Sequence, residues 1–264
     1  MLISGTSLTA KLDLQLRAKI DKLSLKPRLA IVQIGDNPES DSYVGAKKRG
    51  AEKLGIKVHH VQIKKHISTL ELISKVQELG KDKNIHGIIV QLPLPTILDT
   101  KRIITAVPAN KDVDGFNHES PFTPPVALGV LEIIKATEKN LHSKNIVVLG
   151  RGITGGDTVI RTLDKLNIPH VVIHSKTHNP DEILKKADII ISAVGKPEII
   201  KAKVLKPGVK LISIGITKTK NGLVGDYNEE EIKDIASFYT PTPGGIGPLT
   251  VHFLMENVYE AAKN

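Results

Sequence analysis

Short apolar runs rich in valine and isoleucine alternate with amphipathic stretches along the whole chain. The runs at 29–34, 58–63, 87–91, 146–149, 171–174, 189–194 and 210–214 read as strands. They are continuous rather than strictly alternating, as strands buried on both faces are. Between them, apolar residues recur at helical spacing over 8–23, 40–54, 69–79, 127–135, 156–166 and 180–186, with a last such stretch from about 248 to 262. Strand, helix and strand in succession mean βαβ units, and hence parallel sheets covered by helices.

Two stretches interrupt this alternation: NHESPFTPP at 117–125 and PTPGGIGP at 241–248, where proline, glycine and polar residues break any regular period. The expected architecture is therefore α/β in two lobes. An N-terminal α/β lobe takes in residues 1–120, and a second lobe takes in 121–244, where a new series of units begins at Ile146 with a glycine turn. The final segment, about 245–264, packs back on the first lobe. A cleft between such lobes is where small ligands usually bind. No internal repeat or low-complexity tract is present.

Composition narrows the class. A chain of 264 residues suits one large or two smaller domains, and 40% hydrophobic residues can build a core. No stretch approaches the roughly 20 apolar residues of a membrane span, and the N-terminus lacks a secretory pattern. The absence of cysteine excludes disulfides and thiolate metal sites and fits a cytoplasmic protein. The net charge of +9 is spread among acids and apolar residues, with no basic arm. Aromatic residues make up 3%, with no tryptophan, which argues against a base-stacking platform. Neither a nucleic-acid nor a membrane partner is expected; the charge suits a polyanionic small ligand.

Five stretches carry candidate chemistry. After the run at 146–149, Gly150-Arg151-Gly152-Ile153-Thr154-Gly155 has the G-x-G-x-x-G spacing of a dinucleotide site. There, glycines permit a tight strand-to-helix turn, and the free N–H groups of the helix face a pyrophosphate. The bland alternative is a glycine turn that only serves packing. At the end of the next strand an NAD site would usually place an acid. This chain has His174-Ser175-Lys176-Thr177, whose hydroxyl and cationic groups, with Arg151, suit the 2′-phosphate of NADP; the same four residues also read as an ordinary solvated loop.

Tyr43 and Lys47 stand four apart at the start of a helix and share a face, a ring beside an ammonium group. Successive cations at 47–49 would depress one another's pKa and help a lysine act as a base, although the stretch also reads as a basic helix face in water. Gln91 ends a buried strand just before Leu92-Pro93-Leu94-Pro95, where open α/β sheets bind ligands. Asp112 and Asp114 flank Val113 in a loop, with no further acid or histidine spaced to complete a metal shell, so no metal site is read. Finally, Pro243-Gly244-Gly245-Ile246-Gly247-Pro248 has a backbone that a flat ligand could approach, and a helix begins after it.

Together and in this order, YVGAKKRGAEKLGI, HGIIVQLPLP, KDVDGF, ADIIISAVGKP and TPTPGGIGPLT resemble the bifunctional methylenetetrahydrofolate dehydrogenase/methenyltetrahydrofolate cyclohydrolase family. The resemblance covers nearly the whole chain. It implies a folate-binding catalytic lobe completed by the C-terminal helix, a Rossmann-type NADP-binding lobe and a homodimer. It further implies oxidation of 5,10-methylenetetrahydrofolate by hydride transfer to NADP, followed by hydrolysis of the methenyl product to 10-formyltetrahydrofolate. On this likeness Lys47 is the proton-transfer group, Gln91 holds and tunes it, Tyr43 stacks on the aminobenzoyl part and Asp114 binds the pterin. Pro243, Gly244, Gly245, Gly247 and Pro248 fall to the substrate; Gly150, Arg151, Gly152, Gly156, His174, Ser175, Lys176, Ile216 and Thr250 fall to the cofactor.

The departures cluster around the cofactor lobe. The family usually reads G-R-S-x-x-V-G-x-P at the turn, so Gly152, Gly155 and Thr158 replace a serine, a valine and a proline. The family's final glycine falls on Gly156, not Gly155. Asp157 adds a negative charge beside the phosphates that should weaken their binding. Its D-V-G-I is Ser213-Ile214-Gly215-Ile216 here, and the segment before Pro121-Phe122-Thr123-Pro124 is shorter than in many members. Two other readings follow: a protein that is mainly a cyclohydrolase with altered cofactor use, and a non-catalytic nucleotide- or RNA-binding module, against which Tyr43, Lys47, Gln91 and Asp114 speak.

Overall fold

The first apolar run forms β1 (Arg28–Ile34), in which every residue after Arg28 is buried. Such a strand needs cover on both faces, and the computed structural model supplies it; it describes residues 2–63, 66–220 and 222–263. The chain divides into two compact units. The first unit is Lys11–Pro125 with Val251–Asn264, and the second is Met1–Ala10 with Val126–Thr250.

In the first unit α1 (Gly5–Ile20), most of which belongs here, precedes β1 and is followed by α2 (Pro38–Leu54), β2 (Lys57–Ile63), α3 (Thr69–Lys81), β3 (Gly87–Val90) and the short α4 (Thr100–Thr105). The three strands are parallel, in the order β2-β1-β3. Side chains alternate between the faces of a strand. Ala30, Val32, Ile88 and Val90 pack with Leu72, Val76 and Ile103 of α3 and α4. Leu29, Ile31 and Ile89 turn the other way, onto Val44 and Leu54 of α2, Leu16 of α1, and Leu254 and Val258 near the end of the chain. The same parity sends Gln33 and Gln91 toward the α2 face.

Local chemistry fixes the helix ends. The Asn37 side chain accepts the Glu39 N–H at 2.8 Å at the start of α2, Pro38 opens the helix, and Gly55 closes it at φ 78°. Ser68 and Glu71 form a capping box at α3.

The second unit contains α5 (Pro125–Thr137, from its second residue), β4 (Ile146–Leu149), α6 (Gly156–Lys165), β5 (His170–Ile173), α7 (Pro180–Leu184), β6 (Ile189–Ser192) and β7 (Lys210–Ser213). An antiparallel hairpin of β8 (Thr217–Thr219) and β9 (Gly222–Val224) follows, then α8 (Glu229–Ile232) and β10 (Phe238–Tyr239). The main sheet is parallel, in the order β10-β7-β6-β4-β5. The chain steps from β4 outward to β5 and then back past β4 to β6. That reversal opens a crevice at the carboxyl ends of β4 and β6, where α/β sheets take their ligands.

The last helix, α9 (Ile246–Ala262), begins at Ile246, so Gly247 and Pro248 lie in its first turn, where a proline costs no hydrogen bond. The hairpin, β10, α4 and α8 have no counterpart in the predicted elements; each is too short to show a period. Residues 2–6 attach to the second unit through backbone pairing. Leu2 bridges Tyr239, the Ile3 N–H donates to Tyr239 O at 3.4 Å, and the Thr6 N–H donates to Gly244 O at 3.2 Å. Among the described residues no helix is long and apolar enough to cross a membrane.

Candidate functional site

In the first unit, α2 and the carboxyl end of β3 bring the sequence-predicted groups together. The Lys47 ammonium donates to Gln91 Oε1 at 3.1 Å, and Gln91 Nε2 donates to the Leu92 carbonyl at 2.6 Å. The Gln91 N–H is tied to Val32 O at 2.8 Å, so strand pairing fixes the amide that holds the lysine. Gln91 is 7% exposed; Tyr43, one turn before Lys47 on α2, is 49% exposed. Burial, and then the Glu39 charge, push the Tyr43 phenol up from its ordinary range. The three successive cations diverge: Lys47 goes to Gln91, while Lys48 Nζ lies 2.7 Å from His60 Nδ1.

The loop holding Asp112 and Asp114 divides its two acids between different tasks. Asp112 is 2% exposed, and its carboxylate accepts the Asn117 N–H at 2.7 Å, which shapes the loop. Asp114 feels the Lys47 charge; burial pushes its carboxyl up, and Lys47 opposes that rise. Gly115 sits at φ 67°, and a side chain there would press on Phe122 O. The C-terminal helix braces this loop, since Asn257 Nδ2 donates to Val113 O at 2.9 Å and to Thr123 O at 3.0 Å.

Two polar groupings in this unit escaped the sequence pattern. His60 Nε2 lies 2.8 Å from Gln33 Oε1, and Gln33 Nε2 donates to Asp41 Oδ1 at 2.6 Å, which links β2, β1 and α2. Burial, and then Lys48, lower the His60 pKa. Asp13 joins Lys53 Nζ and His252 Nδ1, each at 2.7 Å, and so ties α1, α2 and α9. Strand parity offered a signal for Gln33; nothing in the sequence pairs Asp13 with His252.

In the second unit, the glycine turn follows β4 as expected. Gly150 takes φ 97° and its N–H donates to Ile173 O at 2.9 Å. A Cβ at Gly156 would collide with the Gly150 carbonyl, whereas one at Gly152 would meet nothing within 4 Å. A Cβ at Gly155 would stand 3.2 Å from that of Ala193, tight but not blocked. The helix starts at Gly156 with no side chain capping it, and Arg151 and Gly152 are exposed beside it. Gly152 O accepts the Gly155 and Asp157 N–H groups at 3.1 Å each, and the glycine-lined turn at the start of the helix fits a dinucleotide phosphate. The Asp157 carboxylate pairs with Arg161 Nε at 3.0 Å, so its charge at the turn is partly offset.

At the end of β5, the His174 N–H donates to Thr177 Oγ1 at 2.9 Å and the Thr177 N–H returns to His174 O at 2.9 Å. This tight turn leaves Ser175 and Lys176 exposed, next to the glycine turn across adjacent strands. Ile216 lies just before the β8–β9 hairpin. Thr250 lies in α9, where its hydroxyl donates to Ile246 O at 3.1 Å. Pro243, Gly244 and Gly245 precede α9, and Gly244 stands at φ 100°. The Leu92-Pro93 and Thr242-Pro243 peptide bonds are cis. Asp226, which no sequence pattern singled out, lies 1% exposed beneath the loops after β6 and β7.

The chain is similar to known proteins over its whole length. Residues 3–114 match the model of the tetrahydrofolate dehydrogenase/cyclohydrolase catalytic domain, and residues 124–264 match that of the NAD(P)-binding domain of the same family. The chain is 39% identical over 271 residues to the bifunctional protein FolD of Rickettsia massiliae, covering 98% of this chain and 94% of that protein. The crystal structure of the bifunctional FolD methylenetetrahydrofolate dehydrogenase/cyclohydrolase from Campylobacter jejuni matches with a TM-score of 0.95 at 34% identity, covering 100% of this chain and 99% of that one. That of the Trypanosoma brucei dehydrogenase-cyclohydrolase, complexed with NADP and an inhibitor, gives 0.93 at 26% identity and covers 100% and 97%. With both domain models matched in order and a relative of this identity along its whole length, the chain belongs to the tetrahydrofolate dehydrogenase/cyclohydrolase family.

Proposed function

We propose that this protein oxidises 5,10-methylenetetrahydrofolate to the methenyl compound, with NADP as hydride acceptor, and hydrolyses that product to 10-formyltetrahydrofolate. The observation that carries the reading is the Lys47–Gln91 hydrogen bond at the carboxyl end of β3. Hydrolysis of a methenyl carbon needs a proton removed from the attacking water and a proton delivered as the ring opens. One amine can do both in turn. The Gln91 amide takes up one donor position of Nζ and leaves the rest of the amine for water and substrate.

Asp114 is suited to a flat heterocycle that presents adjacent N–H donors. Burial disfavours its charge, and paired donors offset that cost when the pterin binds. Tyr43, exposed one turn from Lys47, offers a ring face to the aminobenzoyl group. Pro243 to Pro248 supply backbone for the substrate. Hydride transfer asks mainly for alignment of two rings, and the bound NADP supplies the acceptor. Gly150, Gly152 and Gly156 would cradle its phosphates, Arg151, Ser175 and Lys176 its 2′-phosphate, and Ile216 and Thr250 lie among the residues toward its remaining parts.

The proposal assigns residues 1–120 with about 245–264 to folate catalysis and 121–244 to NADP. It includes a homodimer, supported by the outer strand β5, whose Val171 is 48% exposed on an unpaired sheet edge. It also includes a cytoplasmic location, supported by the cysteine-free sequence. One titration tests the chemistry: NADP and NAD against methylenetetrahydrofolate, with methenyl and 10-formyl products followed separately. Saturable formation of both products with NADP is the expected result. Preference for NAD would overturn the cofactor reading, and a methenyl product that accumulates at its uncatalysed hydrolysis rate would overturn the second step.

A further inference from the structure

Burying a carboxylate is costly unless its oxygens are matched by donors. Asp226 is 1% exposed, outside every predicted motif, and all three of its side-chain donors come from one short segment. Oδ2 accepts Ser192 Oγ at 2.5 Å and the Val194 N–H at 3.0 Å, and Oδ1 accepts the Lys196 N–H at 3.0 Å. Its own N–H donates to Ser213 Oγ at 3.1 Å, and that hydroxyl donates to Gly215 O at 3.1 Å. One residue thus holds the loops that leave β6 and β7.

Those loops form one wall of the crevice. A Cβ at Gly150 would stand 2.7 Å from Ala193 O, so the 193–196 loop sits directly against the glycine turn. Gly195 takes φ 68°, and its carbonyl accepts Thr217 Oγ1 at 2.8 Å. Ser192 O accepts the Ile214 N–H at 2.7 Å, which joins the two loops to each other. The glycine turn and the 174–177 turn lie on the β4–β5 side of the reversal. A dinucleotide crosses such a reversal, so its two halves meet different strands. The half not held on the β4–β5 side must meet the loops after β6 and β7.

We infer that Asp226 is a positioning residue for hydride transfer, fixing the 193–196 and 214–217 loops around the nicotinamide half of the cofactor. This rests on the dehydrogenase reading given above. Asp226 acts through the backbone it captures. An asparagine would replace one acceptor oxygen by an NH₂ group facing a backbone N–H, which would push one loop away while leaving the glycine turn in place.

The test compares wild-type full-length protein and Asp226→Asn by calorimetric titration with NADP and with adenosine 2′,5′-bisphosphate, which carries the 2′-phosphate but no nicotinamide. Losing one such buried bond is expected to weaken NADP binding by about tenfold and to lower kcat for hydride transfer. The bisphosphate affinity should stay within about twofold, and methenyl hydrolysis should persist, because Lys47 and Gln91 lie in the other unit. Should Asp226→Asn not fold, Thr217→Val removes only the exposed bond to Gly195 O and should reproduce the same split more weakly. Equal weakening of both ligands, or unchanged NADP binding, would overturn the inference. A wild-type protein that binds the bisphosphate but not NADP would sink the dehydrogenase reading itself.

Discussion

Lys47 and Gln91 stand 44 positions apart and meet through their side chains. Gly150 and Gly156 stand close together in the chain and meet because Gly156 has no side chain to strike the Gly150 carbonyl. The first site therefore depends on which functional groups are present, the second on which atoms are missing. A substitution at the first removes a reaction step. At the second, the shape is exacting at Gly150 and Gly156, tight at Gly155 and open at Gly152.

The sharpest way to break this contrast is Lys47→Met. Methenyl hydrolysis should fall by about 10²–10⁴-fold, the usual worth of a positioned acid–base group, while hydride transfer survives at least in part. Assaying both steps on the folded variant decides it; equal loss of both would end the division of labour.

Next comes a pair at the turn. Gly156→Ala puts a methyl into the Gly150 carbonyl and should destabilise the second unit by about 1–3 kcal/mol, with NADP binding lost. Gly152→Ser, at the open position, should leave the melting temperature and NADP affinity close to wild type. Similar damage from both would show that the turn tolerates nothing, and the contrast would fail.

Asp114→Asn is expected to act with opposite signs on function and stability. It removes a charge that burial disfavours, so the melting temperature at neutral pH should hold or rise. The KM for folate should rise about tenfold or more through loss of a charge-assisted contact. A lowered melting temperature with unchanged KM would contradict both halves.

The smallest effect concerns a surface grouping. Lys210, and then Lys144, hold the Glu138 carboxylate down at about 2 from its ordinary 4.5. A depressed carboxylate contributes stability above its unfolded value, and that contribution disappears as pH falls from 4.5 toward 2. Acid titrations of the melting temperature should therefore be less steep in Glu138→Gln across that window, and coincident curves would refute the assignment.

Much of the fold could be read in the sequence, because continuous apolar runs have few alternatives to buried parallel strands. The sequence put Gln91 at the end of a buried strand, and the structure turns it to the α2 face, beside Lys47. The elements that were not legible are short: the Leu2 bridge to Tyr239 and β10 rest on distant backbone pairing, and the β8–β9 hairpin has only three residues to a strand. Short strands of threonine, lysine and glycine carry no period. The G-x-G-x-x-G spacing pointed to the right turn but to one misleading glycine. Gly156, outside that spacing, is the position where a side chain has no room, whereas Gly155 has some. Asp226 left no trace because its partners are mostly backbone N–H groups, which every sequence possesses.

Residues 2–6 and α9 bear on how the molecule can be handled and how it matures. Residues 2–6 extend the β10 edge of the second unit, while α9 runs from that unit into the first. Neither unit is therefore a continuous stretch of chain. A fragment ending at 125 would lack the Asn257 brace on the 112–123 loop, and one beginning at 126 would lack the Leu2 bridge to Tyr239. Residues 2–6 find this partner only once β10 is in place, and the first unit needs α9 for the Asn257 contacts. A bulky tag fused directly before residue 2 would crowd a sheet edge rather than hang from a free end.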